Sequence, residues 1–201
     1  MSHTYLESFG LLIDVEVQDP TLEDRVRQIL PPGWREADAF PEDGHFIVSG
    51  NGAGTYDVYA EELALATGVE ADVALHVLDA QLRARIALHA PERIFIHAGV
   101  VALGDRALVI PGKSFSGKTT LVAALVGHGA TYYSDEFAVL DATGKIHPYP
   151  RALSLRDRRE RVSVETLGGR AGHAPIQAHA IAITRYDAAA VWQPETRDAG
   201  V

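Results

Sequence analysis

The chain of 201 residues contains no cysteine. Disulfide bonds, a thiolate nucleophile and a zinc site built on cysteine are therefore excluded. Basic residues are also scarce: 18 lysines and arginines stand against 27 acidic residues, which gives a net charge of −9. Proteins that bind nucleic acid or anionic membranes carry a basic surface instead. We therefore expect neither nucleic acid nor a membrane among the partners of this protein.

Long apolar segments are missing as well. No run of apolar residues approaches the roughly 20 that a helix needs to span a bilayer. Residues 1–5 lack the basic and apolar regions of a signal peptide. Together these absences predict a cytoplasmic protein.

The chain has neither an internal repeat nor a convincing linker, and its hydrophobic content of 47% is ordinary for a globular protein. We therefore predict a single domain over residues 1–201. Within it, residues 1–90 form an N-terminal α/β part and residues 91–185 form the core.

What the sequence does contain is the pattern G-x-x-x-x-G-K-[ST]. A short β-prone segment, 107–110, precedes it, and helix-forming residues follow it. Strand, loop and helix in this order are the context in which the pattern binds phosphate. Backbone N–H groups and the helix N-terminus offer partial positive charge, Lys118 adds a full charge, and the Thr119 hydroxyl can reach a magnesium ion. The predicted phosphate-binding residues are Gly112, Lys113, Ser114, Phe115, Ser116, Gly117, Lys118, Thr119 and Thr120. The alternative is a glycine-bearing turn between strand and helix that binds nothing.

A second acidic element is expected wherever a phosphate loop works with magnesium. Asp135 and Glu136 are the leading candidates, because Asp135 lies only 17 residues beyond Lys118. One helix and one turn fit in that interval, so we expect the returning strand to lie beside the strand that feeds the loop, as in a compact βαβ unit. The carboxylates would then emerge near the loop. The alternative is a solvated acidic pair at the end of a strand.

His97 is the next candidate, since it ends the predicted strand 94–96. A histidine at this position could hydrogen-bond an aspartate at the end of the neighbouring strand and hold it in place. A satisfied core histidine fits the sequence equally well. His76 and His89, on a predicted helix, are given no role.

Periodicity supplies the remaining elements. We predict strands at 9–17, 46–48 and 56–59, the last two joined by a glycine-rich hairpin at 50–54. Helices are predicted at 19–30 and 69–90. The longer one has Val73, Val77, Ala80, Ala84 and Leu88 on one face, with Leu78, Leu82 and Ile86 beside it. Short strands then follow at 94–96, 100–103, 107–110, 131–133, 137–140 and 180–184. The fold class is α/β with α+β character.

Four segments of the sequence, taken in order, resemble the catalytic domain of HPr kinase/phosphorylase. They are 97–101, the loop 112–119, 127–129 and 134–136. That family comprises bacterial serine kinases that modify a sugar-transport carrier protein. More distantly, the loop followed closely by an acidic pair is similar to phosphoenolpyruvate carboxykinase. The resemblance covers residues 97–140, about a fifth of the chain. It implies a phosphate-loop fold with a mixed sheet and flanking helices.

The resemblance also implies roles for the matching residues. Lys118 would contact the β- and γ-phosphates of ATP, and Thr119 and Glu136 would bind Mg²⁺. Asp135 would act as the base toward the acceptor hydroxyl, assisted by His97. The acceptor would be a serine in a protein or peptide, the same site could run phosphorolysis with inorganic phosphate, and the protein would form a homo-oligomer.

Departures from the family keep two other hypotheses open. Phe115 replaces an inner loop glycine, Glu136 replaces an aspartate, and residues 1–90 do not resemble the family's N-terminal domain. One alternative is a nucleotide-binding regulatory module without catalysis. The other is a small-molecule kinase or nucleotide hydrolase whose acceptor pocket uses the N-terminal strands and the 50–54 hairpin.

The arginines leave a further question open. Arg151, Arg156 and Arg170 could each approach phosphate, and the sequence does not choose between them. The charge run at 157–161 is interpreted as a solvated face.

Overall fold

The structure is a computed structural model that describes residues 1–113, 116–155 and 161–184, together with residues 189, 191, 193 and 195. Within these residues the chain forms two six-stranded sheets and three α-helices, a mixed α/β fold. Seven of the residues discussed above lie outside the described part. They are Ser114 and Phe115 of the loop, Arg156, and most of the charge run (157–160).

The first sheet is built from the N-terminal third of the chain. Its strands are β1 (Ser2–Ser8), β2 (Leu11–Val17), β3 (Arg35–Glu36), β4 (His45–Gly50), β5 (Tyr56–Ala60) and β6 (Leu63–Val69). They lie in the order β3-β1-β2-β4-β5-β6, and only β2 and β4 run parallel. The predicted hairpin at 50–54 is confirmed, since β4 and β5 pair across it.

The first predicted strand is wrong at its start. Phe9 has φ 50° and Gly10 has φ 86°, so these residues form the turn that returns β1 onto β2. Neither β1 nor β6 was expected from the sequence. The predicted helix at 19–30 is a 3-10 turn over Pro20–Leu22 followed by α1 (Glu23–Ile29).

The long helix α2 (Ala71–His89) covers this sheet with the side that holds Leu78, Leu82 and Ile86, next to the face that was predicted to be the main apolar one. Val73 is 47% exposed and Leu88 is 77% exposed. The helix begins two residues late because Val69 ends β6. The buried residues of α2 are Ala74, Leu75, Leu78, Asp79, Leu82 and Ile86. A carboxylate therefore sits on the buried face of the helix.

The second sheet carries the predicted phosphate loop. Its strands are β7 (Arg93–Leu103), β8 (Arg106–Pro111), β9 (Thr131–Ser134), β10 (Phe137–Asp141), β11 (Lys145–His147) and β12 (Ile176–Ile181), and α3 (Lys118–Gly127) follows the loop. Their order is β10-β11-β12-β8-β7-β9, and β10 also pairs with β7. The strands β7, β8, β12, β11 and β10 therefore close into a ring. The two strands predicted at 94–96 and 100–103 are one continuous strand, β7.

Side chains alternate between the two faces of β7, as the pleat of a strand requires. Ala98 and Val100 belong to an apolar cluster to which all five strands of the ring contribute, so they point into the ring. Val101 packs on the other face with Val122 of α3. His97 and Gly99 share that outer face by alternation, which places them on the side of the ring where α3 lies.

The expectation that the returning strand lies beside the strand feeding the loop is wrong. β7 lies between them and is antiparallel to both β8 and β9. Strands β9 and β10 follow one another along the same edge of β7, and Asp135 and Glu136 form the break between them. Because Phe137 pairs with His97, this break comes to lie beside His97.

Candidate functional site

The loop between β8 and α3 places the backbone of Gly112 directly against the Ser116 side chain. A Cβ added at Gly112 would lie 2.5 Å from Ser116 Oγ. Gly117, with φ 89°, caps α3 in the left-handed conformation that glycine adopts most easily. No side chain caps this helix, and its first turn carries no acidic residue. The free N–H groups of that turn therefore present partial positive charge to whatever lies in front of them.

Lys118, the first residue of α3, is 6% exposed. Its stem crosses Gly99 of β7, where an added Cβ would lie 3.2 Å from Lys118 Cγ and 2.6 Å from Val122 Cγ2. Gly99 thus allows α3 to approach the strand closely. The Lys118 Nζ atom lies 3.2 Å from His97 Nε2. Because an ammonium can only donate, His97 Nε2 accepts this hydrogen bond and a neutral ring carries its proton on Nδ1.

Ser134 shapes the break that holds the two acids. Its hydroxyl is fully buried and accepts hydrogen bonds from the backbone N–H groups of Glu136 at 3.1 Å and Phe137 at 2.9 Å. In addition, Ala98 N donates to Glu136 O at 3.2 Å. The backbone of the acidic pair is therefore tied to β7 on one side and to Ser134 on the other.

Asp135 is largely enclosed beside the start of α3. Burial raises the pKa of Asp135 from 3.8 to about 6; the Thr119 hydroxyl and the Lys118 charge oppose this rise, and Glu136 adds to it. The Oδ1 atom is buried and has no hydrogen-bond partner. Asp135, Thr119 and Lys118 therefore share one neighbourhood, and one carboxylate oxygen in it is unsatisfied.

Glu136 faces in another direction. Its Oε1 atom lies 2.6 Å from Arg83 Nη1 and 4.0 Å from His97 Nδ1. Arg83 belongs to α2, the helix that packs on the first sheet. Through Arg83 this helix contacts the acidic pair of the second sheet. The predicted metal ligand Glu136 is thus already paired with a cation.

Arg83 and Asp79 are the site residues that sequence reasoning missed. Asp79, on the buried face of α2, lies 3.5 Å from Arg83 Nε and accepts a hydrogen bond of 2.6 Å from Arg151 Nη2. Arg151, one of the three candidate arginines, is therefore paired with Asp79, whereas the candidate Arg156 lies outside the described residues. Arg170 instead donates to Thr131 Oγ1 at 3.3 Å, at the end of β9 opposite Asp135. The available signal was a charged pair at i and i+4 on an otherwise apolar helix face.

A cavity of about 570 Å³ opens elsewhere, between the two sheets. Phe9, Pro32, Arg93, His147 and His173 are among its lining residues. The hairpin at 50–54 and the phosphate-loop residues in the described part of the chain do not line it. This cavity and the loop are separate features of the surface.

The donor set for a metal ion is small. No group of three or more histidine, aspartate or glutamate side chains in the described ranges could hold a metal. Magnesium at phosphate sites needs less, because it takes one or two carboxylates and completes its shell with phosphate oxygens and water. Thr119 and the unsatisfied oxygen of Asp135 fit that requirement.

A scan against protein-family models and searches of curated proteins and of solved structures found no match for this chain. In the part of the chain that is described, no helix is both long enough and apolar enough to cross a membrane.

Proposed function

We propose that this chain binds ATP with Mg²⁺ at the loop 112–119 and transfers the γ-phosphoryl group to a serine hydroxyl of a protein or peptide. One observation carries the proposal: Lys118 Nζ lies 3.2 Å from His97 Nε2, beside the acidic pair. Phosphoryl transfer needs positioning and charge stabilisation more than covalent chemistry. A cation, a ring nitrogen and two carboxylates from three separate segments supply both.

The phosphate groups would be bound at the start of α3. Its uncapped N–H groups and Lys118 are the positive charges that face the loop. A triphosphate is a stronger partner for Lys118 than a neutral imidazole, because opposite charges attract. Binding of the nucleotide would therefore draw Lys118 away from His97 and leave Nε2 free.

Mg²⁺ fits Thr119 and Asp135 better than Thr119 and Glu136. The unsatisfied Oδ1 atom of Asp135 can accept an ion without losing a partner, whereas Glu136 would first have to give up Arg83. When bound, the ion would neutralise charge on the phosphate oxygens. At pH 7 Asp135, with a pKa raised to about 6, is mostly ionised and can serve as a ligand.

The acceptor hydroxyl would then meet His97. Its side chain is 41% exposed, so a substrate can reach it, and Nε2 is the unprotonated nitrogen. His97 would accept the hydroxyl proton while Glu136 faces the Nδ1–H side. The family resemblance implies that Asp135 is the base and Glu136 a metal ligand. The contacts at this site instead support Asp135 as the metal ligand and His97 as the base.

The test is labelling with γ-³²P-ATP and Mg²⁺ in an extract of the source organism. Wild type and Lys145→Ala, which alters an exposed lysine of β11, should label the same protein band. Lys118→Ala should label none. If Lys118→Ala labels as wild type does, the proposal is wrong.

The same assay separates the two alternatives. Saturable binding of ATP–Mg²⁺ by calorimetry with no labelled product would indicate a binding module. ATP turnover stimulated by the low-molecular-weight fraction alone would indicate a small-molecule acceptor. Absence of ATP binding would overturn all three hypotheses.

A further inference from the structure

Arg83 connects helix α2 to the acidic pair. Its Nη1 atom donates to Glu136 Oε1 at 2.6 Å, and its side chain is only 16% exposed. The contact joins α2, which packs on the first sheet, to the break between β9 and β10 in the second sheet, 53 residues further along the chain. Enclosure makes such a charged hydrogen bond stronger than one on the open surface.

Asp79 forms an ion pair with Arg83 on the side of the guanidinium away from Nη1. The Asp79 side chain is 3% exposed, and its Oδ1 atom lies 3.5 Å from Arg83 Nε, one helical turn away. Arg151 Nη2 donates to the same oxygen at 2.6 Å, and Arg161 Nη2 lies 3.5 Å from Oδ2. A buried carboxylate surrounded by arginines in this way restricts where each guanidinium can lie.

Glu136 connects Arg83 to His97. The oxygen that accepts from Arg83 is also the one that lies 4.0 Å from His97 Nδ1. A carboxylate at this position favours the tautomer with hydrogen on Nδ1, so that Nε2 remains the acceptor. Without Arg83, the Glu136 side chain, which is 31% exposed, could turn toward solvent or toward Lys118.

We infer that Arg83 is a positioning residue for phosphoryl transfer, acting through Glu136 to keep His97 Nε2 unprotonated and directed at the acceptor side. The inference rests on the proposed function. It adds to the candidate site a residue of α2, a helix that lies outside the segment 97–140. It assigns Arg83 no contact with nucleotide.

Kinetics provide the first test, with Arg83→Gln, Arg83→Lys and the control Arg85→Gln. Arg85 lies on the same helix, but it pairs with Glu61 at 3.1 Å and not with the acidic pair. Arg83→Gln should lower kcat about 10- to 100-fold, the range seen for partners that orient a reacting group, and leave the KM for ATP within about twofold. Arg83→Lys should recover part of the loss, and Arg85→Gln should keep the wild-type kcat.

Nitrogen-15 NMR of His97 provides a second test that needs no kinase activity. Wild type and Arg85→Gln should show the Nδ1–H tautomer, and Arg83→Gln should show a mixture of tautomers. If the tautomer and kcat are both unchanged in Arg83→Gln, the inference is wrong. If wild type transfers no phosphate but the tautomer still depends on Arg83, the link from Arg83 to His97 stands and the proposed function fails.

Folding is checked by circular dichroism. If Arg83→Gln does not fold, Glu136→Gln takes its place, because it removes the same link from the more exposed side. An unchanged His97 tautomer in Glu136→Gln would overturn the inference just as clearly.

Discussion

Gly99 of β7 and Val122 of α3 are in such close contact that a Cβ on residue 99 would lie 2.6 Å from Val122 Cγ2. Gly99→Ala should therefore push the first turn of α3 away from the strand and destabilise the protein by about 1–3 kcal/mol, the usual cost of overpacking. ATP affinity should fall as well, since Lys118 lies on the same turn. Chemical denaturation and calorimetry measure the two effects.

The matched control is Gly127→Ala at the end of α3, where an added Cβ meets nothing within 4 Å. It should leave ATP affinity unchanged and stabilise the helix by up to about 1 kcal/mol. Wild-type stability in Gly99→Ala would show that the strand and the helix can separate at no cost.

Asp135→Asn should stabilise the nucleotide-free protein at neutral pH. Burial raises the pKa of Asp135 from 3.8 to about 6, so the folded state retains a proton that the unfolded state has lost between these values. The ionised carboxyl therefore costs stability progressively as pH rises from about 4 to 6, by up to about 3 kcal/mol above that range. Urea unfolding without Mg²⁺ should show Asp135→Asn as the more stable protein at pH 7 and no difference at pH 4.

Glu136→Gln is the companion variant with the opposite expectation. It weakens the hydrogen bond to Arg83 and should be less stable than wild type at pH 7. If both variants shift stability in the same direction at pH 7, the environments assigned to the two acids are incorrect.

Asp79→Asn should be strongly destabilising, because it leaves Arg83 and Arg151 without their carboxylate in a buried setting. Breaking a buried ion pair by removing one partner costs about 3–5 kcal/mol. Asp72→Asn is the control: its side chain is 89% exposed and pairs with Arg25 on the surface. That substitution should cost less than about 1 kcal/mol. Equal melting temperatures for the two variants would contradict this prediction.

Thr119→Val should abolish the effect of Mg²⁺ on nucleotide binding. Wild type is expected to bind ATP more tightly with Mg²⁺ than with EDTA, and loss of one supporting group at a metal site typically costs about 10- to 100-fold in metal affinity. In Thr119→Val the two affinities should converge. Thr120→Val removes the neighbouring hydroxyl but keeps the backbone N–H of residue 120, through which this position would bind phosphate, so it should behave as wild type. Calorimetry in both buffers gives the comparison.

The sequence predicted the parts of the site that depend on local rules. A strand over 107–110, a loop after it and a helix after the loop were all predicted from residue types and spacing. The turn between β7 and β8 is a local feature of the same kind, since only Gly104 and Asp105 join the two strands. These elements need no information from distant parts of the chain.

The parts that failed depend on which elements meet in space. The sequence gives no sign that β7 separates β8 from β9, because three strands of this length can be ordered in several ways. The predicted apolar face of α2 included Val73 and Leu88, which are apolar but exposed, and omitted Asp79, which is buried in contact with Arg83 and Arg151. Arg83 itself belongs to no motif.

The closure of the second sheet has a consequence for cooperativity. Each of the five strands in the ring has a hydrogen-bonded neighbour on both sides, so none of them can fray from a free edge. Separating one strand removes ladder hydrogen bonds from two others at once, and the ring should open as a unit. We expect the central amide hydrogens of β7 to exchange with solvent only at the rate of global unfolding. His97 and Gly99 are therefore carried by the segment of the backbone that is slowest to open.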